Sequence, residues 1–150
     1  MAAFRSYMIQ ALEEARAAGA RGEVPVGAVV VRRGEVLARA GNRMRELSDP
    51  TAHAEILAIR AACAALGSER LTGCDLWVTL EPCPTCAGAI AAARFDRLYY
   101  GASDPKSGGV AQGPRVFEHA QAHHAPEVYS GFEEEACAEL MRAFFAARRD

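Results

Sequence analysis

The sequence lacks any apolar run approaching the ~20 residues that cross a bilayer. Its opening segment, MAAFRSYMIQALEEARAAG, has glutamates inside its apolar pattern, so it reads as an amphipathic helix and not as a signal peptide. These two absences exclude membrane and secretory classes and make the cytoplasm the expected location. A disulfide framework is lacking too. The five cysteines, Cys63, Cys74, Cys83, Cys86 and Cys137, form an odd, scattered set with one close pair. In a reducing compartment such a pair more often binds metal or does redox work. Excess positive charge is missing as well: the formal charge is −2. That balance neither suggests nor excludes nucleic acid, because binding requires only a local patch. There is no repeat, low-complexity stretch or linker. The 150 residues, 51% hydrophobic and 24% charged, fit one domain over 1–150 with room for a sizeable core.

The pattern along the chain alternates helices and strands. Ser6–Ala18 reads as a helix ended by Gly19. Pro25–Arg32 (PVGAVVVR) is a β-branched run that pairs with Glu35–Ala40 across the Arg33-Gly34 turn. Thr51–Leu66 repeats Ala52, Ile56, Ile59, Cys63 and Leu66 at helical spacing and stops at Gly67. A strand over Cys74–Thr79, a short helix over Cys83–Ala93 and a strand over Arg97–Gly101 follow. The Gly-, Ser- and Pro-rich stretch Ala102–Pro114 reads as a loop. Glu127–Ser130 is a last short strand and Glu133–Arg149 a final helix. This order predicts an α/β fold, a three-layer α/β/α sandwich with a mixed central sheet of about five strands flanked by helices.

The cysteine pair lies in VTLEPCPTCAG, Val78–Gly88. By itself it allows structural zinc, a redox dithiol or a catalytic metal. A redox reading suffers from the absence of a thioredoxin-like βαβ context. A closed structural site needs a fourth ligand, and His119, His123, His124, Cys74 and Cys137 do not repeat a second zinc-ribbon spacing. DPTAHAEI, Asp49–Ile56, supplies His53 and, two residues on, Glu55. Asp49, Pro50 and Thr51 are expected to cap the helix and place both in its first turn. Cys83 and Cys86 at i, i+3 share a face at a second helix start. Two positive helix ends then converge on one point and favour thiolate. Three protein ligands leave the fourth tetrahedral position to water, the arrangement of catalytic zinc, with Glu55 as proton shuttle.

HAE at 53–55 with PCPTC at 82–86 resembles the zinc-dependent cytidine and nucleobase deaminase superfamily. GEVPVGAVVV, AGNRMRELSDPTAHAEI, RLYYGASDPKSGG and the terminal FFAARR extend the resemblance over nearly the whole chain, toward the bacterial branch specific for tRNA adenosine. The resemblance implies one Zn2+ per subunit held by His53, Cys83 and Cys86, and hydrolytic conversion of adenosine to inosine at the wobble position of an anticodon. Glu55 would carry the water's proton to N1 and then to the leaving amine. It also implies that Asn42 grips the flipped base, although a turn-former ending the second strand would be the same residue. Val26, Pro25, Leu80 and Ala54 are expected at the pocket, and Asp104 and Lys106 on the anticodon backbone and sugar. Phe144, Phe145, Arg148 and Arg149 pair stacking surface with charge for a single-stranded loop. Arg43, Arg45 and Arg115 are further phosphate candidates. The partners implied are a tRNA anticodon stem-loop and a second copy in a homodimer. The alternatives are a deaminase of a free base or nucleoside, of guanine or cytosine type, and a non-catalytic zinc module, against which the intact Glu55 argues.

Overall fold

The computed structural model describes residues 3–148. Its elements are α1 (Met8–Ala20), β1 (Gly27–Arg32), β2 (Glu35–Gly41), α2 (Met44–Leu47), α3 (Ala54–Leu66), β3 (Cys74–Leu80), α4 (Pro84–Ala93), β4 (Arg97–Ala102), a 3-10 turn (Val116–Glu118), β5 (Glu127–Tyr129) and α5 (Glu134–Ala146). The five strands form one mixed sheet in the order β2-β1-β3-β4-β5. β1 runs antiparallel to β2 and β3, whereas β3, β4 and β5 are parallel.

The period of two along each strand divides the interior into two cores. Ala28, Val30, Leu76, Val78, Leu98 and Tyr100 point to the face covered by α3 and α4. Val29, Val31, Trp77 and Tyr99 point to the face covered by α1 and α5. Helices on both faces make the expected three layers, and explain why β1 is apolar without alternation. The two faces are packed differently. Small residues line the first, with Ala54, Ala58 and Ala62 on α3 and Ala87 and Ala93 on α4. The second is aromatic: Trp77 and Tyr99 stack with centroids 4.0 Å apart and planes 5° from parallel, with Phe132 edge-on to both.

Several boundaries differ from the sequence pattern for identifiable reasons. α1 runs past Gly19 because the left-handed residue that ends it is Gly22 (φ +88°), with the Glu23 N–H bonded back to the Ala18 carbonyl. α3 begins three residues after Thr51, because Asp49 Oδ1 accepts from both the N–H and the hydroxyl of Thr51 and closes a turn of its own. The short α2 is absent from the periodicity. It forms over the buried Glu23 carboxylate, which accepts the N–H groups of Arg45 and Glu46. The expected final residue of the last helix, Arg149, lies outside the described residues.

Candidate active site

The two zinc-site segments use one device twice. His53 and Cys83 are the N-cap residues of α3 and α4, both in extended conformation (φ −73°, ψ 152° and φ −71°, ψ 170°). The N-cap position usually commits its side chain to the helix, but neither does so here. The side chains are therefore free to converge. Pro84 at the first helical position of α4 needs no partner for an N–H it lacks. At α3 the first N–H, of Ala54, is met from outside by Asn42 Oδ1 at 2.7 Å. His53 thus stands one residue before the first turn and not inside it, whereas Glu55 occupies that turn.

His53 Nδ1 lies 3.4 Å from Cys86 Sγ and 3.7 Å from Cys83 Sγ. Bonds of about 2.3 Å to sulfur and about 2.0–2.1 Å to nitrogen in a tetrahedron space ligand atoms about 3.6 Å apart, so the donor set fits zinc. These three residues are positioned to bind one metal ion, and no other such group exists among the described residues. Electrostatics agree. The close approach of Cys86 holds the Cys83 thiol far below its ordinary range against the opposing effect of burial, with His53 adding to the depression. Cys86 is pushed up by sharing its proton with Cys83, by burial and by the Glu55 charge. A dication binds thiolate, so its arrival would displace any proton the pair shares. His53 is pushed up by its bond to Cys83. Burial pushes the Glu55 carboxyl up to about 7, and Cys83 adds to the rise. Glu55 is 4% exposed and sits beside the metal site within a cavity of about 460 Å3.

The cavity sorts the expected residues. Val26, Asn42, Leu80, Asp104, Lys106 and Phe145 line it together with His53, Glu55 and Cys83. Asn42 is 4% exposed, and because its oxygen is spent on Ala54 its amide NH2 is the group left for a ligand. Pro25 does not line the cavity: ahead of β1 the chain makes a tight turn, with the Val26 N–H bonded to the Val24 carbonyl at 2.8 Å, and Val24 and Val26 line the cavity while Pro25 lies toward Gly19 in α1. Ala54 is fully buried in the core and does not line it either. On α5, Met141 and Phe145 at i, i+4 present one face to the cavity. Phe144 lies on another face under the Arg148 guanidinium, 3.5 Å from its ring centroid. Arg43 pairs with Glu46 at 2.7 Å and Arg115 with Glu118 at 3.8 Å. Lys106, the chain's one lysine, has no ion pair among the described residues. Two of the three remaining histidines hold loop backbone: His119 donates to the Pro114 carbonyl at 2.6 Å and His124 to the Phe95 carbonyl at 2.7 Å.

Sequence reasoning missed Val24, Met44, Glu81, Ser107 and Met141, which complete the lining. Glu81 had a readable signal, since a carboxylate directly after the buried strand CDLWVTL must meet donors. Met141 had one too, four residues before a candidate stacking residue on a helix.

Residues 1–102 match the family model of the cytidine and deoxycytidylate deaminase zinc-binding region. The tRNA-specific adenosine deaminase of Agrobacterium fabrum is 60% identical over 149 residues, 99% of this chain and 98% of that protein. The enzyme of the same name from Bacillus subtilis is 46% identical, over 95% of this chain and 89% of its own. A solved structure from work on A-to-I editing by tRNA:A34 deaminases at the wobble position superposes with a TM-score of 0.88 at 62% identity, over 89% of this chain and 97% of that one. Guanine deaminase from Nitrosomonas europaea superposes with a TM-score of 0.78 at 26% identity, over 97% of this chain and 86% of its own.

Proposed function

The chain belongs to the cytidine and deoxycytidylate deaminase zinc-binding family, and from that premise we infer that it is a zinc-dependent hydrolytic tRNA adenosine deaminase. It converts adenosine to inosine at the wobble position of an anticodon and releases ammonia. The observation that carries the choice of substrate is the likeness to tRNA-specific adenosine deaminases over almost the full length of both proteins.

His53, Cys83 and Cys86 hold the zinc ion, which when bound supplies Lewis-acid activation of water, lowering its pKa towards ~7. Glu55 is the catalytic acid and base. Its carboxylate takes the proton of the attacking water, delivers it to N1 of adenine, and then protonates the exocyclic amine as the C6–N bond breaks. A carboxyl raised by burial toward neutral pH is suited to both tasks. Asn42 donates its amide N–H to an acceptor on the flipped base, and Val26 and Leu80 form the apolar walls. Asp104 engages the ribose hydroxyl, Lys106 a phosphate, and Phe145, which is 46% exposed, offers a stacking face at the mouth. Arg148 is engaged with Phe144, so its contact with RNA is to phosphate over a shared stack. No described helix is long and apolar enough to cross a membrane. We place the enzyme in the cytoplasm with its tRNA, as a homodimer, which sedimentation or light scattering checks.

A purine-base deaminase is the second reading, favoured by the likeness to guanine deaminase. One experiment separates the two. Zinc-loaded protein is incubated with an anticodon stem-loop carrying wobble adenosine and, in parallel, with free guanine, cytosine, adenosine and cytidine. Inosine in the stem-loop is the expected result. Ammonia from a free base without inosine in the RNA overturns the assignment.

A further inference from the structure

Glu81 is 2% exposed and has no cation paired with it among the described residues. Its oxygens are met by backbone instead. Oε1 accepts the N–H of Asp104 at 3.0 Å, and Oε2 accepts those of Val110, Ala111 and Gln112 at 3.1, 2.9 and 3.0 Å. A buried carboxylate is costly unless its lone pairs are filled, and here a loop wraps around it to fill them. Three successive N–H groups on one oxygen form the concave nest that usually receives a bound anion. In this fold the anion is the protein's own side chain, and the object held is the loop.

The loop is fastened to the metal segment on the other side as well. The Gly109 N–H donates to the Pro82 carbonyl at 2.8 Å, and the Glu81 N–H to the Ala102 carbonyl at 2.8 Å. The packing leaves no room for side chains at two positions. A Cβ on Gly108 would stand 2.6 Å from the Glu81 carboxyl carbon and 2.6 Å from the Asp104 carbonyl oxygen, and one on Gly109 2.6 Å from the Pro84 nitrogen. The far end of the same loop brings Asp104 and Lys106 to the cavity. Asp104 Oδ1 is used to accept the N–H groups of Lys106 and Ser107, at 3.2 and 3.1 Å, which gives this end a defined turn.

We propose that Glu81 is a positioning residue for substrate: its carboxylate clasps residues 104–112 against the Pro82–Cys86 segment and so sets Asp104 and Lys106 at a fixed distance from the metal. The substrate half of this statement rests on the tRNA reading above; the clasp itself does not. Glu81 borders the cavity, but both of its carboxylate oxygens are spent on the N–H groups of the loop. It acts through the loop, so losing it weakens RNA binding while leaving the chemical step largely intact.

The test uses the full zinc-loaded chain, the variants Glu81→Gln and Gly108→Ala, and the wobble-adenosine stem-loop. Glutamine keeps the shape but turns an NH2 toward backbone donors. The alanine methyl enters the same clasp from the loop side. Both variants are expected to hold one zinc per chain, to exchange the amide hydrogens of residues 104–112 faster, and to raise KM for the stem-loop by about tenfold or more, with kcat within about threefold. In a background carrying Asp104→Ala and Lys106→Ala, Glu81→Gln adds less than about twofold, because the contacts it positions are gone. Unchanged amide exchange in both variants overturns the clasp. Faster exchange with unchanged KM, or the same KM penalty in the Asp104→Ala/Lys106→Ala background, overturns the positioning role. Should Glu81→Gln lose zinc, Gly108→Ala decides by the same criteria. A wild-type protein that makes no inosine in the stem-loop overturns the functional reading alone, and amide exchange still decides the clasp.

Discussion

The two walls of the cavity are built on opposite plans. The metal wall rests on two helix starts, where His53 and Cys83 are N-cap residues and Glu55 and Cys86 follow within three positions. Its parts are anchored by α3 and α4, whose small side chains bring the helices close onto the sheet. The wall to which we assign recognition is drawn from a loop without regular structure and from one face of α5. The loop is held in place by hydrogen bonds to the single side chain of Glu81. Chemistry demands fixed distances among ligands, and rigid elements supply them. Recognition of a flexible RNA tolerates a fastened loop, because loops can carry varied polar groups on a constant scaffold.

That contrast can be broken at either wall. The largest effect is expected at the metal wall, where His53→Ala or Cys83→Ala removes one of three ligands. Zinc content by emission spectroscopy should drop from one per chain to near zero, and inosine formation to background. Retained zinc with normal turnover would remove the basis for the wall's assignment. Glu55→Ala comes next: zinc is kept, and turnover falls by about 10²–10⁴, the usual contribution of a general acid and base. Near-normal turnover in the zinc-replete variant would sink the role given to Glu55.

Smaller effects belong to the recognition wall. Lys106→Ala should raise KM for the stem-loop about tenfold and reduce the slope of log affinity against log salt by about one. Arg115→Ala, whose charge already faces Glu118, should change KM by less than about twofold. Equal effects for the two would show that pairing does not decide which cations meet RNA. Because Lys106 is the chain's one lysine, protection of that amine from acylation by the stem-loop reads the contact directly.

The smallest effect concerns Glu23, which does for α2 what Glu81 does for the loop. Burial raises its pKa, but the N–H groups of Glu46 and Arg45 and the charges of Arg21 and Arg45 outweigh burial and hold it below its ordinary value of 4.5. A carboxyl with a folded pKa below its unfolded one adds stability above the unfolded value and loses it as pH falls through the folded value. Glu23→Gln should therefore cost about 1 kcal/mol at pH 7, or about 2–4 °C in Tm. The gap to wild type should close as the pH drops well below 4.5. A gap that persists or widens in acid would show that the carboxylate is not what holds α2.

Much of the metal wall was legible because its determinants are local. A histidine two residues from a glutamate, and two cysteines at i, i+3 beside a proline, mark helix starts within a few residues of the groups they position. The helix caps themselves were less legible. Asp49 looks like the cap of α3, yet it closes a turn before it, and the cap comes from Asn42, twelve residues earlier. Capping from outside the segment leaves no local spacing to read. The same distance explains Glu81, whose partners lie 23 to 31 residues further on.

The amino-acid pattern alone indicated the layered α/β architecture and the three residues positioned to bind one metal ion, with Glu55 beside them, because periodicity and cap chemistry act over a few residues. Only the tertiary structure decided that Phe145 and not Phe144 faces the cavity, that Pro25 turns away from it, and that a buried carboxylate beside the metal-site residues holds the loop that brings Asp104 and Lys106 to the cavity. Those outcomes depend on which surfaces pack together and on where buried polar groups find partners, and both are settled by contacts between segments far apart in the chain.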